Sequence, residues 1–394
     1  MFIKIVLSKI WHKRLSSFLC ILLMAIGVAI ISLISNLSRE LEKNFSENIS
    51  GIDMVVGAKG SPLQLILSSV FHLDAPTGNI SLEEVNSLVK NNPQVKTFIP
   101  LSYGDNYAGY RIVGSTEDLL KQYKAEILQG KEYTKPMEVV IGNKVAKNLG
   151  LKLEDLFTSS HGLDKDGEHH DEEEYKVVGI LKPNGSVLDK LIICNLESIW
   201  DIHHHEGEEE TEEHHEITAA LVNFKSPMGM MTMPRLINEN STMQAALPAI
   251  EINRLLTLFD DGIKILGYLA YLIVIVAGIS VFISLYNSLK DERGEKALMI
   301  TLGASRFKVF SLLLAEGIML SIIGYLVGIV ISRLALFIIQ RLLSTAYLAD
   351  FNFTGLSKSE IYLFLLALLI GLLSAALPSL GIFKINLSKT MAEN

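Results

Sequence analysis

Histidine and carboxylate are the side chains of this chain whose clustering could do chemistry. Eight of its ten histidines fall in two acidic tracts, HGLDKDGEHHDEEE over 161–174 and HHHEGEEETEEHHE over 203–216. Neutral imidazoles bind zinc, copper and nickel, and carboxylates add charge and secondary ligands. His161, His169, His170, His203, His204, His205, His214 and His215 are therefore candidate metal ligands. Glycines among the charges make flexible ribbons rather than a cage, which implies weak binding lost below about pH 6 as the imidazoles protonate. The same composition suits plain solvated loops. Zinc is the first choice of metal, and no intrinsic cofactor is implied. A methionine cluster, PMGMMTMPRLINEN, has the softness for copper(I), although methionine at such density commonly serves adaptable packing.

Catalytic spacings are missing. A zinc hydrolase wants H-E-x-x-H, an α/β-hydrolase wants G-x-S-x-G, and Cys194 has no sequence-local histidine. No G-x-x-x-x-G-K-[ST] phosphate loop occurs, since GKEY at Gly130 lacks both the leading glycine and the hydroxyl. The net charge of −8 and the lack of a basic stripe exclude a nucleic-acid partner.

The elements that carry these residues are set by apolar runs. Nearly half the residues are hydrophobic, and they concentrate in one run, 16–37, and three more between 263 and 382. A hydrocarbon core of about 30 Å takes roughly 20 apolar residues as helix, and each run is long enough. The first is longer than a signal-peptide core and lacks a small-x-small cleavage signature, so it reads as a retained helix. Lys4, Lys9, Lys13 and Arg14 precede it; Lys290, Arg293, Lys296, Arg306 and Lys308 lie between the second and third runs; Lys384 and Lys389 follow the fourth. Positive segments stay in the cytoplasm. Arg333 and Arg341 run against that rule, with Asp350 as a partial balance.

The predicted fold class is an α-helical membrane protein with four transmembrane helices, one plus three, and a large mixed α+β extracytoplasmic domain between helices 1 and 2. The predicted divisions are a cytoplasmic segment 1–15, helix 16–37, outer domain 38–262, helix 263–286, cytoplasmic loop 287–308, helix 309–331, short outer loop 332–357, helix 358–382 and cytoplasmic tail 383–394. Cys20 lies in the first helix and Cys194 in the outer domain, so they cannot pair.

In the outer domain, LEEVNSLVKNNP reads as a capped helix, whereas KTFIPLSY, YRIVGS, EYKVVGIL and EITAALVNF read as strands. MEVVIGNKVAKNLGL reads as strand, turn and short helix, and LDKLIICNLESIW, reached by a turn after EYKVVGIL, as a strand followed by a helical start. Both histidine tracts interrupt connections between such strands. LQLILSSVFHL, too short to span, is either buried in the domain or an apolar patch near the membrane; His72 within it reads as a packing residue. In the third membrane helix Glu316 is either an interhelical polar contact or relay, or sits at the inner headgroup level. Gly324 and Gly328 have the small-xxx-small spacing that lets helix backbones approach, within this bundle or against a second copy.

The runs IGNKVAKNLGLKLEDLF, EYKVVGILKPNGSVLDKLIICNLESIW and ITAALVNFKSPMGMMTMPRLINEN together resemble the periplasmic core domain of MacB-type ABC transporter permeases. DERGEKALMITLGASRFKVFSLLLAEGIMLSIIGYLVGIV resembles the FtsX-like permease region of the same superfamily, which includes the lipoprotein-releasing permeases. The resemblance implies a permease subunit in the bacterial inner membrane, with a separate cytoplasmic ABC ATPase as partner and cargo handled on the outer side. It implies contact with that ATPase for Arg293, Glu295, Leu302, Gly303, Ala304 and Ser305; a positively charged anchor at the lipid surface is the alternative reading of the loop. Lys296 and Ala297 stand where Ile-Gly is frequent in the family, and Ile300 where an arginine often stands. A homodimer or a heterodimer with a related permease is expected, embedded in lipid, with a periplasmic or outer-membrane partner as a further expectation. Lipoprotein, peptide and zinc-linked cargo all fit. Two other readings stay open: an FtsX-like relay that activates a periplasmic partner, and a metal-binding membrane receptor.

Overall fold

The structure is a computed structural model, and it describes residues 2–160, 169–204, 215–343, 355 and 357–384. Helices of eight residues or more among these are α1 (Phe2–His12), α2 (Arg14–Ile49), α3 (Pro62–Ser69), α4 (Leu196–His204), α5 (Pro227–Asn240), α6 (Pro248–Asp291), α7 (Arg293–Thr301), α8 (Arg306–Leu343) and α9 (Lys358–Ser379). Strands are β1 (Met54–Ala58), β2 (Ile80–Ser81), β3 (Val95–Tyr107), β4 (Tyr110–Ser115), β5 (Ile127–Gly130), β6 (Glu138–Ile141), β7 (Leu156–Ser160), β8 (His169–Leu181), β9 (Ile192–Cys194), β10 (Glu216–Ile217), β11 (Ala219–Phe224) and β12 (Met243–Ala246). The chain forms two compact units, a helical one of residues 1–41, 258–343 and 351–394 and a mixed one of residues 42–257 and 344–350.

In the mixed unit ten strands form one sheet in the order β12-β1-β11-β3-β4-β9-β6-β8-β5, with β7 pairing to β3 and β8. Most neighbours are antiparallel; β4 with β9 and β6 with β8 are parallel. The central strands read as unbroken apolar runs, EVVI and IIC, because they are covered on both faces. Period-two alternation divides them. Val55, Val113, Val140 and Ile193 enter a core shared with Leu65, Ile66 and Ile252 from α3 and α6. Their neighbours face the other way in two patches. Met54, Val56 and Val222 meet Met233 and Ile237 of α5, and Ile112, Val139, Ile141 and Ile192 meet Ile199 and Ile202 of α4.

Several local expectations change here. LDK is a short 3-10 turn rather than a strand, and the methionine run is helix α5, with Met233 in the core and Met228 and Met231 exposed. LQLILSSVFHL takes the buried form, as α3 and a turn that place Leu65, Ile66, Val70 and Phe71 in the core. His72 is buried in packing as expected, at a positive φ of 55°. Its Nδ1 lies 2.9 Å from the Tyr103 hydroxyl. Burial, reinforced by the nearby Arg111 charge, pulls its pKa down to about 3, so it stays neutral.

Among the described residues the helical unit holds four helices long and apolar enough to cross a membrane. The first three outrun the expected limits. The first continues to Ile49, the second begins at Pro248, and the third continues to Leu343, so the front of the expected loop 332–357 is helix. The fourth ends at Ser379 in a 3-10 turn that reaches Lys384. Cys20 and Cys194 are both free and buried.

Packing among these helices rests on glycine. A Cβ on Gly324 would lie 2.7 Å from the Met24 Cβ, and one on Gly328 would lie 2.8 Å from the Ala25 carbonyl oxygen. The small-xxx-small pair therefore faces α2 of its own chain. Gly27 on α2 approaches Val274 of α6 in the same manner, and Gly371 of α9 approaches Ser321 of α8. Backbone cannot retreat from a new methyl as a flexible side chain can, so Gly328→Val should lower stability by about 1–3 kcal/mol. Gly267→Ala, where nothing lies within 4 Å, should be neutral or stabilising by up to about 1 kcal/mol. Thermal unfolding of the two full-length variants in one detergent checks the contrast.

Candidate functional site

Two clusters of charge organise the helical unit, one at each end of α2's apolar stretch. The first surrounds Glu292, the residue between α6 and α7. Its Oε2 accepts from Lys9 Nζ of α1 at 2.8 Å, and its Oε1 pairs with Lys13 Nζ at 2.9 Å. Ser288 Oγ donates to Oε1 at 3.1 Å. Lys296 Nζ lies 3.4 Å from Oε2 and donates to the Ser288 carbonyl at 3.0 Å. Burial raises the Glu292 pKa, but hydrogen bonds from Lys13 and Lys9 and the Lys296 charge outweigh it and hold the carboxyl at about 2. Lys296 is only 1% exposed. Burial pulls its ammonium below the usual lysine range, while Glu292 opposes that shift.

This cluster fixes the inner side of α7 and leaves its outer side open. Lys296 and Ala297, two of the three residues that depart from the family pattern, are both buried. Ile300 and Ala304 pack against Leu289, Val309, Leu313 and Ile382. Of the residues expected to meet a partner, Arg293, Glu295, Leu302, Gly303 and Ser305 are exposed, and Ala304 is half-buried facing inward. Leu302 is 80% exposed, with Leu298, Met299 and Phe307 exposed nearby. Gly303 takes φ +99°, a left-handed turn that glycine adopts without a Cβ penalty. The Ser305 hydroxyl then accepts from the Lys308 N–H and caps α8.

Glu316 lies inward on α8, 5% exposed. Its Oε2 meets no hydrogen-bond donor among the described residues.

The second cluster centres on Glu360 in the first turn of α9, fully buried at 0% exposure. Both its oxygens pair with Arg333 of α8, at 2.9 and 2.8 Å. Ser32 Oγ and Asn36 Nδ2 of α2 donate to Oε1 at 2.9 and 3.0 Å. Ser332 Oγ donates to Ser32 Oγ at 3.0 Å, and Ser357 and Glu360 close a capping box. Sequence reasoning missed Glu360, Asn36 and Ser32. The available signals were S-K-S-E ahead of an apolar run, and Arg333, whose breach of the charge rule is now explained by this partner. Glu292 left no such signal, because its partner Lys9 is 283 residues away.

Of the candidate metal ligands, His161, His205 and His214 lie outside the described residues, as do the side chains of His169, His170, His203 and His204. His215 is described. Its ring stacks on Trp200 with centroids 4.1 Å apart and planes 1° from parallel, and its carbonyl accepts from the Leu82 N–H at 3.0 Å. Among the described residues no three of His, Cys, Asp and Glu come together to hold a metal ion.

A buried ion pair that loses one partner leaves an uncompensated charge, which costs about 3–5 kcal/mol. Glu360→Gln should therefore lose on the order of 3 kcal/mol, and adding Arg333→Gln should recover part of that loss. A double-mutant cycle by denaturant unfolding in detergent measures it; strict additivity would refute the pairing.

Comparison with known proteins adds the family. Residues 17–227 match the family model of the MacB-like periplasmic core domain, and residues 267–387 match that of the FtsX-like permease C-terminal region. No curated protein matches the chain. Among solved structures, the periplasmic region of MacB from Actinobacillus actinomycetemcomitans aligns at 11% identity and TM-score 0.37, covering 54% of this chain and 97% of that one. The extracellular domain of the noncanonic ABC-type transporter YknZ from Gram-positive bacteria aligns at 15% identity and TM-score 0.32, covering 49% of this chain and 98% of its own. The two family models carry the assignment. The family comprises permease subunits, generally non-catalytic, and implies a cytoplasmic ABC ATPase as partner. With four membrane-length helices and both family regions in order, the chain belongs to the MacB/FtsX-like superfamily of ABC-transporter permeases.

Proposed function

We propose that this chain is the membrane subunit of a MacB-like ABC system whose separate ATPase docks on α7 and drives the mixed unit, held on the periplasmic side of the inner membrane. The observation that carries the reading is α7 itself. It is a short helix between two membrane-length helices, anchored inward by Lys296 and Ala297, and it offers Arg293, Glu295, Leu298 and Leu302 outward. Exposed leucine at 80% on a charged segment is what a protein groove takes up, with the apolar tip buried and the charges at the rim.

Continuity of two helices supports the transmission half of the reading. α2 runs from Arg14 to Ile49 and α6 from Pro248 to Asp291. Phe45, Ile49, Ile252, Leu255 and Leu256, at their far ends, pack with the core of the mixed unit. Movement imposed at the cytoplasmic end would thus reach that core along helix backbone, and two copies moving together would open and close their outer domains. Cargo would be a lipoprotein, a peptide or a zinc-linked species met outside the membrane. Basic residues before the first span, between the second and third and after the fourth support this orientation.

Leu302→Glu should leave thermal stability within about 0.5 kcal/mol, because an exposed side chain is exchanged away from any packed feature. It should also cut recovery of the copurifying ATPase at least about tenfold, the equivalent of 1.4 kcal/mol. Affinity purification of the full-length protein followed by mass spectrometry reads both the partner's identity and its loss. Unchanged recovery would refute docking at α7.

A further inference from the structure

Resting on the coupling reading, the geometry points to Glu292 as the positioning residue that carries displacement of α7 to α1, and through α1 to the first span. Three observations converge. Glu292 stands at the joint between α6 and α7, where its backbone leaves the helical region at φ −98°, ψ 20°. Its two carboxylate oxygens are divided between two lysines of the N-terminal segment, Lys9 on Oε2 and Lys13 on Oε1. Lys9 lies on α1 and Lys13 is the break between α1 and α2, since it stands between His12 and Arg14. One carboxylate thus holds the coupling helix to the joint at which the first span begins.

The contact is built to transmit rather than to decorate a surface. The Glu292 side chain is 16% exposed and its lysines 21% and 29%, unlike Lys264 and Asp260, both 54% exposed. Exposed pairs contribute little because water and salt screen them, whereas sheltered pairs resist separation. Beneath the charges, Val6 and Ile10 of α1 are buried with Leu285 and Leu312, so the amphipathic helix has an apolar seat and a charged clasp. Charge balance makes the clasp specific. Lys9, Lys13 and Lys296 face Glu292, with buried Glu316 close enough to act on all three lysines. Without Glu292, three ammonium groups share one remaining carboxylate, and repulsion among them would free α1 while α7 keeps its outward face.

The test uses the full chain with its copurifying ATPase in lipid nanodiscs and follows amide hydrogen exchange with and without ATP and vanadate. In the wild type, nucleotide should change exchange both in 292–305 and in 2–24. In Lys9→Met with Lys13→Met, which keeps Glu292 on Lys296, the response in 292–305 and ATPase recovery should stay within twofold of wild type, while the response in 2–24 falls at least fivefold. Glu292→Gln should lower the response in 2–24 at least as far. A Lys9→Cys, Glu292→Cys pair should restore the 2–24 response when the two thiols are joined by a flexible bismaleimide and lose it when they are not, which a role in stability alone would not produce. A wild-type-sized response at 2–24 in the first two variants, or no restoration by the cross-link, overturns the inference. No nucleotide response at 292–305 in the wild type overturns the coupling reading itself, and the inference with it.

Discussion

Taking an ionised carboxylate out of water is costly unless cations and hydrogen-bond donors meet it, and that constraint shapes both ends of the helical unit. Glu360 is fully buried and satisfied because two other helices and its own cap converge on it: Arg333 from α8, Ser32 and Asn36 from α2, and the capping serine of its own helix. Glu292 does the same at the other end with Lys9, Lys13 and Lys296. Lipid tails offer helices no hydrophobic reason to associate, so close glycine contacts and polar pairs must supply it. Here the glycines set the spacing between α2, α6 and α8, and the charge clusters set which faces meet.

The mixed unit follows a different physics. Its sheet is covered on both faces, so its strands lack the polar alternation of a solvated sheet and depend on helices to finish each side. α3 and the start of α6 close one face; α4 and α5 close the other in two patches. This division explains the methionine run: Met233 fills the seam under α5, and Met228 and Met231 are its exposed flank. His215 is engaged in stacking on Trp200.

Legibility in the sequence divided along the range of the interactions. Apolar runs and most strand segments are local patterns and appear where expected, and the Gly303 turn and the Ser305 cap are equally local. Helix limits were read too short because α2 and α6 continue as polar or amphipathic helix beyond their apolar stretches, and hydropathy reports only the stretch. The charge hubs were illegible for a different reason. Glu292 and Lys9 are 283 residues apart, and Asn36 and Glu360 are 324 apart, so only the fold brings them together. Lys296 looked like a departure from the family pattern and is instead a buried member of such a hub. Gly324 and Gly328 were legible as a packing stripe, but not the partner helix.

The central claim is that a stroke delivered at α7 reaches the far ends of the helices that enter the mixed unit. Pulsed electron paramagnetic resonance between spin labels at Lys43 on α2 and Ile338 on α8, both exposed sites, tests it in the nanodisc complex with the ATPase. The account predicts that ATP with vanadate moves the distance distribution to a new maximum and that nucleotide removal returns it. Superimposable distributions with and without nucleotide, in a complex that still hydrolyses ATP, would contradict it.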